Sequence, residues 1–362
     1  MSGFIEDYWS IEYNGKRFYN VLDAASELKE NFKHAYLNFY DKPFSKYDWS
    51  VEPSETFEQL KAERARQLRD QYNYLRLYAS FASDSGTMIN AFVNNNLHID
   101  EIVNFATIYG KELPEFDQER ITLTIPSIQN FLKITSKTKI VLKDIGVNEV
   151  VSIMKVRNKN ASNPLPSRHN VTDISHDLQT NKFVVDVHGD LKPFFTIEAG
   201  QFWTGFNLPY VHDMLSRGAH SENFFTTHKF PLLHIKQCHM LKNKIKKEKP
   251  ELVRLSWLHP VLVAEPARFS DGSLMETFIE DACRDFNDFG RTPIKSFDVF
   301  AVKGTLQYRD LKRIQGFYLS AKQELSDYID FVREYFNSHL FEKVNGVTVK
   351  NTLNYKKYSL GF

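Results

Sequence analysis

The first 70 residues show short apolar stretches broken by turn residues, a pattern that predicts a small α+β unit. Segments 9–13 and 16–19 are rich in aromatic and β-branched residues and flank Asn14-Gly15, the dipeptide most typical of a two-residue β-hairpin. A further apolar alternation at 35–39 predicts a third strand. We therefore expect a hairpin and one more strand before the chain turns helical.

A long helix is predicted at the end of this unit. Pro53-Ser54 opens a charged stretch that runs to about Tyr72, with the apolar residues of one side three to five positions apart. That spacing places one apolar stripe along the helix, and its members should face the core: Phe57, Leu60, Ala65 and Leu68.

Residues 71–193 change to the pattern of an α/β domain. Short apolar segments alternate with helical ones, which favours parallel strands joined by right-handed crossovers. We expect a helix at 87–95 and four strands, at 75–79, 99–109, 138–145 and 182–187. Residues 118–132 fit either a strand or a helix, because alternation at their start gives way to helical spacing.

Residues 194–362 are predicted to be mainly helical, with candidate helices at 231–247, 274–289 and 306–341 and a loose hairpin around Asn345-Gly346. The fold class expected is therefore α/β. It comprises a parallel Rossmann-like sheet, a small N-terminal α+β unit and a helical C-terminal region.

Composition narrows the class of protein only slightly. The 362 residues are 42% hydrophobic and 25% charged with a net charge of +1, so no general field for nucleic acid or membrane is expected. Cys238 and Cys283 are too few for a disulfide framework. Because no leader and no apolar run of bilayer length is evident, we expect a cytoplasmic protein.

The segment 75–88 carries the most specific chemistry in the chain. It reads as a buried strand, a Ser-rich loop and then a helix, an arrangement in which free backbone N–H groups and a positive helix end can hold an anion. The candidate phosphate-binding residues are Ser80, Ser83, Asp84, Ser85, Gly86 and Thr87.

This segment resembles the pyrophosphate loop of the PP-loop (N-type) ATP pyrophosphatases, whose signature is Ser-Gly-Gly-x-Asp-Ser after an apolar strand. Ser80, Asp84 and Ser85 keep the pattern, whereas Phe81 and Ala82 occupy the two glycine places. The neighbouring stretches are similar to phage-encoded, asparagine synthase-like members of the family, at 63–72 and 91–102.

The resemblance implies a sheet of the HUP type, ATP and Mg²⁺ as cofactors, and transfer of an adenylyl group to a substrate oxygen. Asp84 would hold the metal or orient the loop, and Lys192 and Lys236 would be the catalytic cations. Lys192 belongs to a stretch, 188–193, that resembles a Gly-x-Asp-Lys-Pro turn. Lys236 belongs to 224–239, which keeps a Lys-Gln-x-His motif but replaces Trp-Ser-Pro-Asp by Thr226-Thr227-His228-Lys229.

The two lost glycines set the functional expectation. Glycine suits a main chain that approaches a phosphate closely and has a positive φ. A Cβ atom obstructs the close approach and disfavours the positive φ. The Phe81 ring must either point away into a neighbouring layer or fill the space of a phosphate. We expect ATP pyrophosphatase and adenylating activity to be weakened or lost, with ATP and Mg²⁺ bound only if the site still functions and no cofactor otherwise.

Three hypotheses remain open from the sequence. The first is a PP-loop-derived nucleotide-binding protein, the second an enzyme-derived structural or interaction protein such as a virion component, and the third an active adenylating ligase. The partner would be an unknown small molecule or protein, in the host cytoplasm or the virion if the chain is phage-encoded. Lysines at 242–249 leave nucleic acid open, although a solvated helix face is the favoured explanation for them. His188, Asp190 and His259 also fit an iron and 2-oxoglutarate site, but the flanking pattern is helical.

Overall fold

The computed structural model describes most of the N-terminal half of the chain and selected parts of the remainder. Within the described ranges the chain forms four β-sheets and five α-helices. These ranges are 9–19, 27–28, 34–79, 81, 83–108, 124–146, 184–189, 193, 195–206, 221–250, 253, 341–344, 347–350 and 354–362.

The N-terminal unit contains the predicted hairpin. Strands β1 (Trp9–Tyr13) and β2 (Lys16–Phe18) pair antiparallel around Asn14-Gly15. Both turn residues are left-handed, with φ of 48° and 75°, which is the geometry of a type I′ turn. Strand β3 (Tyr36–Phe39) pairs with the other side of β1, so the prediction of a third strand is also confirmed.

Two helices follow β3. The first, α1 (Asp41–Phe44), is a single turn, and the second, α2 (Phe57–Gln71), is the predicted charged helix. Thr56 and Gln59 form a capping box that fixes the start of α2, since each side chain bonds the backbone N–H of the other residue, at 3.2 and 2.8 Å. The predicted inner residues are all buried, as expected: Phe57, Leu60, Ala65 and Leu68.

A five-stranded, entirely parallel sheet forms the centre of the described structure. Its strands lie in the order β10-β7-β4-β5-β6, with the bounds given at the end of this paragraph. Strand β4, the first of these five in the chain, is therefore central, and the later four add to either side of it. This is the doubly wound order of Rossmann-like folds, in which ligands bind at the carboxyl edge where the order reverses. The reversal falls between β4 and β7. The strand bounds are β4 (Tyr74–Tyr78), β5 (Glu101–Ile108), β6 (Lys139–Gly146), β7 (Val184–His188) and β10 (Ser221–Asn223).

The two faces of this sheet differ in polarity. One face is apolar and buried, with Leu75, Leu77, Ile102, Val185 and Val187 among its members. The opposite face carries a charged row, defined here by Arg76, Glu101, Lys139 and the register position of Asp186. Within this charged row Glu101 accepts from Arg76 Nε at 3.0 Å and lies 3.4 Å from Lys139 Nζ. A parallel sheet more usually has apolar strands on both faces.

Three helices accompany the parallel strands. Helix α3 (Ser83–Val93) connects β4 to β5, and α4 (Ile125–Ile134) lies between β5 and β6 in the chain. The ambiguous segment thus resolves as helix from Ile125, where Pro126 is compatible with a first helical turn. The predicted helix after β10 is confirmed as α5 (Pro231–Glu248).

The described part of 194–362 contains one helix and seven strands, so it gives the expected helical region little support. Strands β8 (Phe195–Glu198) and β9 (Gln201–Gly205) form an antiparallel hairpin, and β11 (Phe341–Val344) and β12 (Val347–Lys350) form another around the predicted turn. Strands β13 (Asn354–Tyr355) and β14 (Lys357–Ser359) pair with β3 and β9, respectively. The helices expected at 274–289 and 306–341 lie outside the described residues, apart from Phe341 in β11.

In the part of the chain that the structure describes, none of the helices combines the length and the apolar character required to cross a membrane.

Candidate functional site

The turn from β4 into α3, residues 79–85, lies at the carboxyl edge of the sheet beside the point where the strand order reverses. Helix α3 begins at Ser83, four residues earlier than the sequence predicted. The first four N–H groups of a helix have no partner within it and carry the positive end of the helix dipole. Here they include the N–H groups of Ser83, Asp84 and Ser85, the first three residues of α3.

The strand end that enters this turn is held firmly. Ala79 donates its N–H to the Val103 carbonyl at 3.0 Å, and its own carbonyl accepts from Asn104 Nδ2, also at 3.0 Å. Asn104 is buried, so this bond is shielded from water. The backbone therefore leaves β4 in a fixed direction before it reaches the helix.

Phe81 has a backbone conformation that glycine adopts more readily than any other residue. Its φ is 59°, in the left-handed region that non-glycine residues rarely occupy. The side chain is 2% exposed, and its ring meets the Phe131 ring of α4 edge to face with centroids 6.0 Å apart. Of the two alternatives for this ring, the structure has the one in which it packs into a neighbouring layer.

Two hydroxyl groups on α3 are buried without a hydrogen-bond partner among the described residues, Ser85 Oγ and Thr87 Oγ1. Thr87 is completely buried, and Ser85 is half-buried as a whole residue. An unsatisfied buried hydroxyl costs free energy, so a native structure that retains two of them on one helix calls for an explanation. Both residues belong to the set that the sequence assigned to phosphate binding.

Asp84 is the acidic residue of the first turn of α3, where its charge suits the helix dipole. A carboxylate there would repel a phosphate unless a cation lay between them, so Asp84 would suit a Mg²⁺ ion if a phosphate bound at this helix end. In the described ranges no cluster of three or more His, Cys, Asp and Glu side chains could hold a metal alone. Ser80 and Ala82 lie outside those ranges.

The ends of β7 and β10 form the other side of the edge. His188 closes β7 and is 5% exposed, and its carbonyl accepts from the Phe224 N–H at 2.7 Å. Gly189 follows, and a Cβ there would lie 2.6 Å from the Phe225 ring, so this approach requires glycine. The remainder of the predicted turn, including Asp190 and Lys192, lies outside the described residues.

Lys236, the other predicted cation, is bound to the segment before α2. Its Nζ lies 2.7 Å from Glu52 Oε1 and donates to the Pro53 carbonyl at 3.0 Å. His239, one turn further on, contacts the Trp49 carbonyl through Nε2 at 3.0 Å. The Lys-Gln-x-His motif thus anchors residues 49–53 on α5.

The four residues that replace Trp-Ser-Pro-Asp take part in packing. Thr226 Oγ1 lies 2.8 Å from His234 Nδ1, while His234 Nε2 lies 3.1 Å from Thr204 Oγ1. The His228 ring stacks flat on Tyr40, with centroids 3.8 Å apart and 7° between the planes. Burial, followed by the charge of Lys229, lowers the pKa of His228 to about 4, so this ring is neutral at pH 7.

The buried His234 makes stability depend on pH. Burial lowers its pKa to about 3 from an ordinary 6.5. The unfolded chain takes up a proton near 6.5 and the folded chain does not, so the contribution is complete above that pH and is lost as the pH falls towards 3. We expect the free energy of unfolding to drop by about 2 kcal/mol between pH 7 and pH 5 through this group.

Urea denaturation at the two pH values measures this effect. His234→Gln should show a smaller drop between pH 7 and pH 5, whereas His98→Gln, which removes an exposed ring, should keep the wild-type drop. An unchanged drop in His234→Gln would contradict a neutral buried imidazole.

A buried ionic network, which the sequence gave no sign of, joins α2 to β10. Arg64 Nη2 donates to Glu222 Oε2 at 3.0 Å and to the Asn223 carbonyl at 2.9 Å. The other carboxylate oxygen of Glu222 accepts from Tyr72 OH at 2.5 Å and from Lys229 Nζ. Burial opposes ionisation of Glu222, but the charges of Arg64 and Lys229 outweigh it and keep the pKa of this carboxyl below its usual range.

A scan of the sequence against protein-family models, a search of curated proteins and a search of solved structures each found no match. The class of the protein is therefore defined by its fold. It is a mixed α/β protein whose all-parallel, five-stranded sheet is compatible with a Rossmann-like core.

Proposed function

We propose that the protein is a nucleotide-binding protein of PP-loop descent, with the triphosphate of ATP held at the start of α3. The observation that carries this proposal is the turn itself. It follows the central strand at the reversal of strand order and has a left-handed residue at the first glycine place. It leads into a helix with two buried hydroxyl groups that have no hydrogen-bond partner among the described residues.

Each part of the turn has a role in this proposal. The N–H groups of Ser83, Asp84 and Ser85 and the helix dipole would contact phosphate oxygens, and the hydroxyls of Ser85 and Thr87 would gain hydrogen-bond partners. Asp84 would hold Mg²⁺ against the phosphates. When bound, the ion would neutralise phosphate charge, which is what cleavage between the α- and β-phosphates requires.

Weak or absent catalysis is part of the same proposal. Lys236, one of the two cations that the resemblance implies, is engaged by Glu52, and the Thr226–Lys229 segment serves packing. These contacts also fit the second candidate function. It is an enzyme-derived structural or interaction protein that retains the sheet but not the reaction. An active adenylating ligase would need Lys192, which lies outside the described residues, or another cation to reach the phosphates.

Nucleotide binding is tested with Thr87→Val and Ser85→Ala. Because Thr87 Oγ1 is buried without a described partner, the isosteric valine should leave the free protein at least as stable. If the hydroxyls contact phosphate, isothermal titration of ATP with Mg²⁺ should show affinity reduced about tenfold in each variant, the usual value of one lost hydrogen bond to a charged group.

Ser136→Ala is the matched control, since Ser136 is exposed and precedes β6 at the opposite edge of the sheet. It should bind ATP as the wild type does. No heat and no thermal shift with millimolar ATP and Mg²⁺ in the wild type would reject nucleotide binding and leave the structural or interaction role. Equal affinity in all four proteins would place the nucleotide elsewhere.

A further inference from the structure

Residues 354–362, called the clasp below, add a strand to each of two separate sheets. Its first strand, β13, runs parallel to β3 in the N-terminal sheet, and Asn354 donates its N–H to the Ala35 carbonyl at 2.9 Å. Its second strand, β14, runs antiparallel to β9. The ladder continues past β14, because Leu360 donates its N–H to the Phe202 carbonyl at 2.8 Å and Phe202 donates its N–H to the Gly361 carbonyl at 3.2 Å.

Alternate side chains of the clasp enter the core. Tyr358 and Leu360 are 5% and 0% exposed, and the Tyr358 ring stacks on Trp49 with centroids 4.5 Å apart. Phe362, two positions further on, is 75% exposed. The clasp therefore presents two buried anchors on one side of an extended strand, with a solvated residue beyond them.

Lysines of α5 hold the far part of the clasp by its backbone. Lys242 Nζ donates to the Leu360 carbonyl, and Lys246 Nζ donates to the Phe362 carbonyl at 3.2 Å. A contact with a backbone carbonyl does not depend on which side chain that residue of the clasp carries. At the near part, Tyr355 packs so closely on Gly205 that a Cβ there would lie 2.8 Å from its ring.

These contacts are those of a peptide bound by strand addition, in which main-chain bonds supply affinity and pockets for alternate side chains supply specificity. We propose that the surface formed by β3, β9 and the C-terminal half of α5 is a peptide-binding groove, and that the clasp is its resident, exchangeable ligand. The sequence it selects is an extended Tyr-x-Leu, given by Tyr358 and Leu360. The groove lies outside the candidate nucleotide site, so this proposal is independent of that function.

Exchange is tested on the complete protein. A flexible linker with a protease site is inserted between Leu353 and Asn354, the purified protein is cut, and excess fluorescent peptide of sequence 354–362 is added. We expect the clasp to remain bound after cutting and the labelled peptide to replace it, as seen by gel filtration and fluorescence anisotropy. The empty groove never has to be isolated.

Peptide variants test the recognition code. A Leu360→Ser peptide should compete about 30-fold more weakly, because it loses a fully buried side chain. The matched Phe362→Ala peptide loses an exposed ring and should compete as the native peptide does. Release of the clasp only on global unfolding, or equal competition by the Leu360→Ser peptide, would overturn the proposal.

Discussion

Replacement of Arg64 by methionine is expected to lower the free energy of unfolding by about 3–5 kcal/mol, the range for a buried ion pair that loses one partner. Arg64 is fully buried, and among the described residues the change leaves the Glu222 carboxylate with Tyr72 and Lys229. It also removes the contacts of Arg64 with the Asn223 carbonyl and with Gln67 Oε1, at 2.9 and 2.6 Å. Guanidinium denaturation of wild type and variant measures the difference.

Two controls separate the network from a general loss of charge. Lys16→Met removes an exposed ion pair with Glu27 and should cost less than about 1 kcal/mol. The double variant Arg64→Met with Glu222→Leu should be more stable than Arg64→Met alone, since no unpaired charge remains inside. An Arg64→Met protein as stable as the Lys16→Met protein would show that the network does not support α2 and β10.

At Phe81 we expect the glycine variant to be more stable than the alanine variant, the reverse of the usual order of stability. Phe81→Ala loses a ring packed on Phe131 and should cost about 3–5 kcal/mol. Phe81→Gly loses the same ring but relieves a left-handed residue, so it should be more stable than Phe81→Ala by about 1–2 kcal/mol. Thermal and urea denaturation of the two variants give the comparison directly.

Ala91→Gly is the matched control for the order of the two residues. Ala91 lies within α3, where glycine is less stable than alanine by about 1 kcal/mol. A Phe81→Ala protein more stable than Phe81→Gly would mean that the turn does not impose a left-handed residue at this position.

The same turn distinguishes a closed nucleotide site from a repurposed one. With Phe81 and Ala82 both changed to glycine, residues 80–85 read Ser-Gly-Gly-Ser-Asp-Ser, the signature of the PP-loop proteins that this segment resembles. A gain of ATP binding or of pyrophosphate release would indicate that the two side chains had closed a working site. No gain, in a variant that remains folded, would favour the structural or interaction role.

Local signals predicted much of the fold. The Asn14-Gly15 turn, the apolar stripe of α2 and the apolar strands of the parallel sheet all depend on residues close together in the chain. The start of α3 was placed too late because Ser83 and Asp84 suit a loop and a first helical turn equally well. The four predicted strands did not by themselves give the order β10-β7-β4-β5-β6, which depends on which strand pairs with which.

The sequence did not predict contacts between residues that are far apart in the chain. Arg64 and Glu222 are separated by 158 positions, and neither has a charged pattern around it that would point to the other. The sequence placed Phe81 at the critical position but left two directions for its ring, and only Phe131 on α4 decides between them. Ser85 and Thr87 were among the phosphate-binding residues predicted from the sequence, but the absence of a described hydrogen-bond partner for either hydroxyl depends on packing.

The charged row across the parallel sheet has a consequence for folding fidelity. A strand that slides by one residue exposes its apolar side, but a slide by two residues keeps every side chain on its own face. The apolar face, with Leu75 and Leu77 two positions apart, would scarcely distinguish that misaligned pairing. Arg76 would, because sliding β4 by two positions moves the guanidinium away from Glu101 and sets a tyrosine at that register position. The ion pairs of the charged row thus favour the native register of β4 over a pairing shifted by two residues.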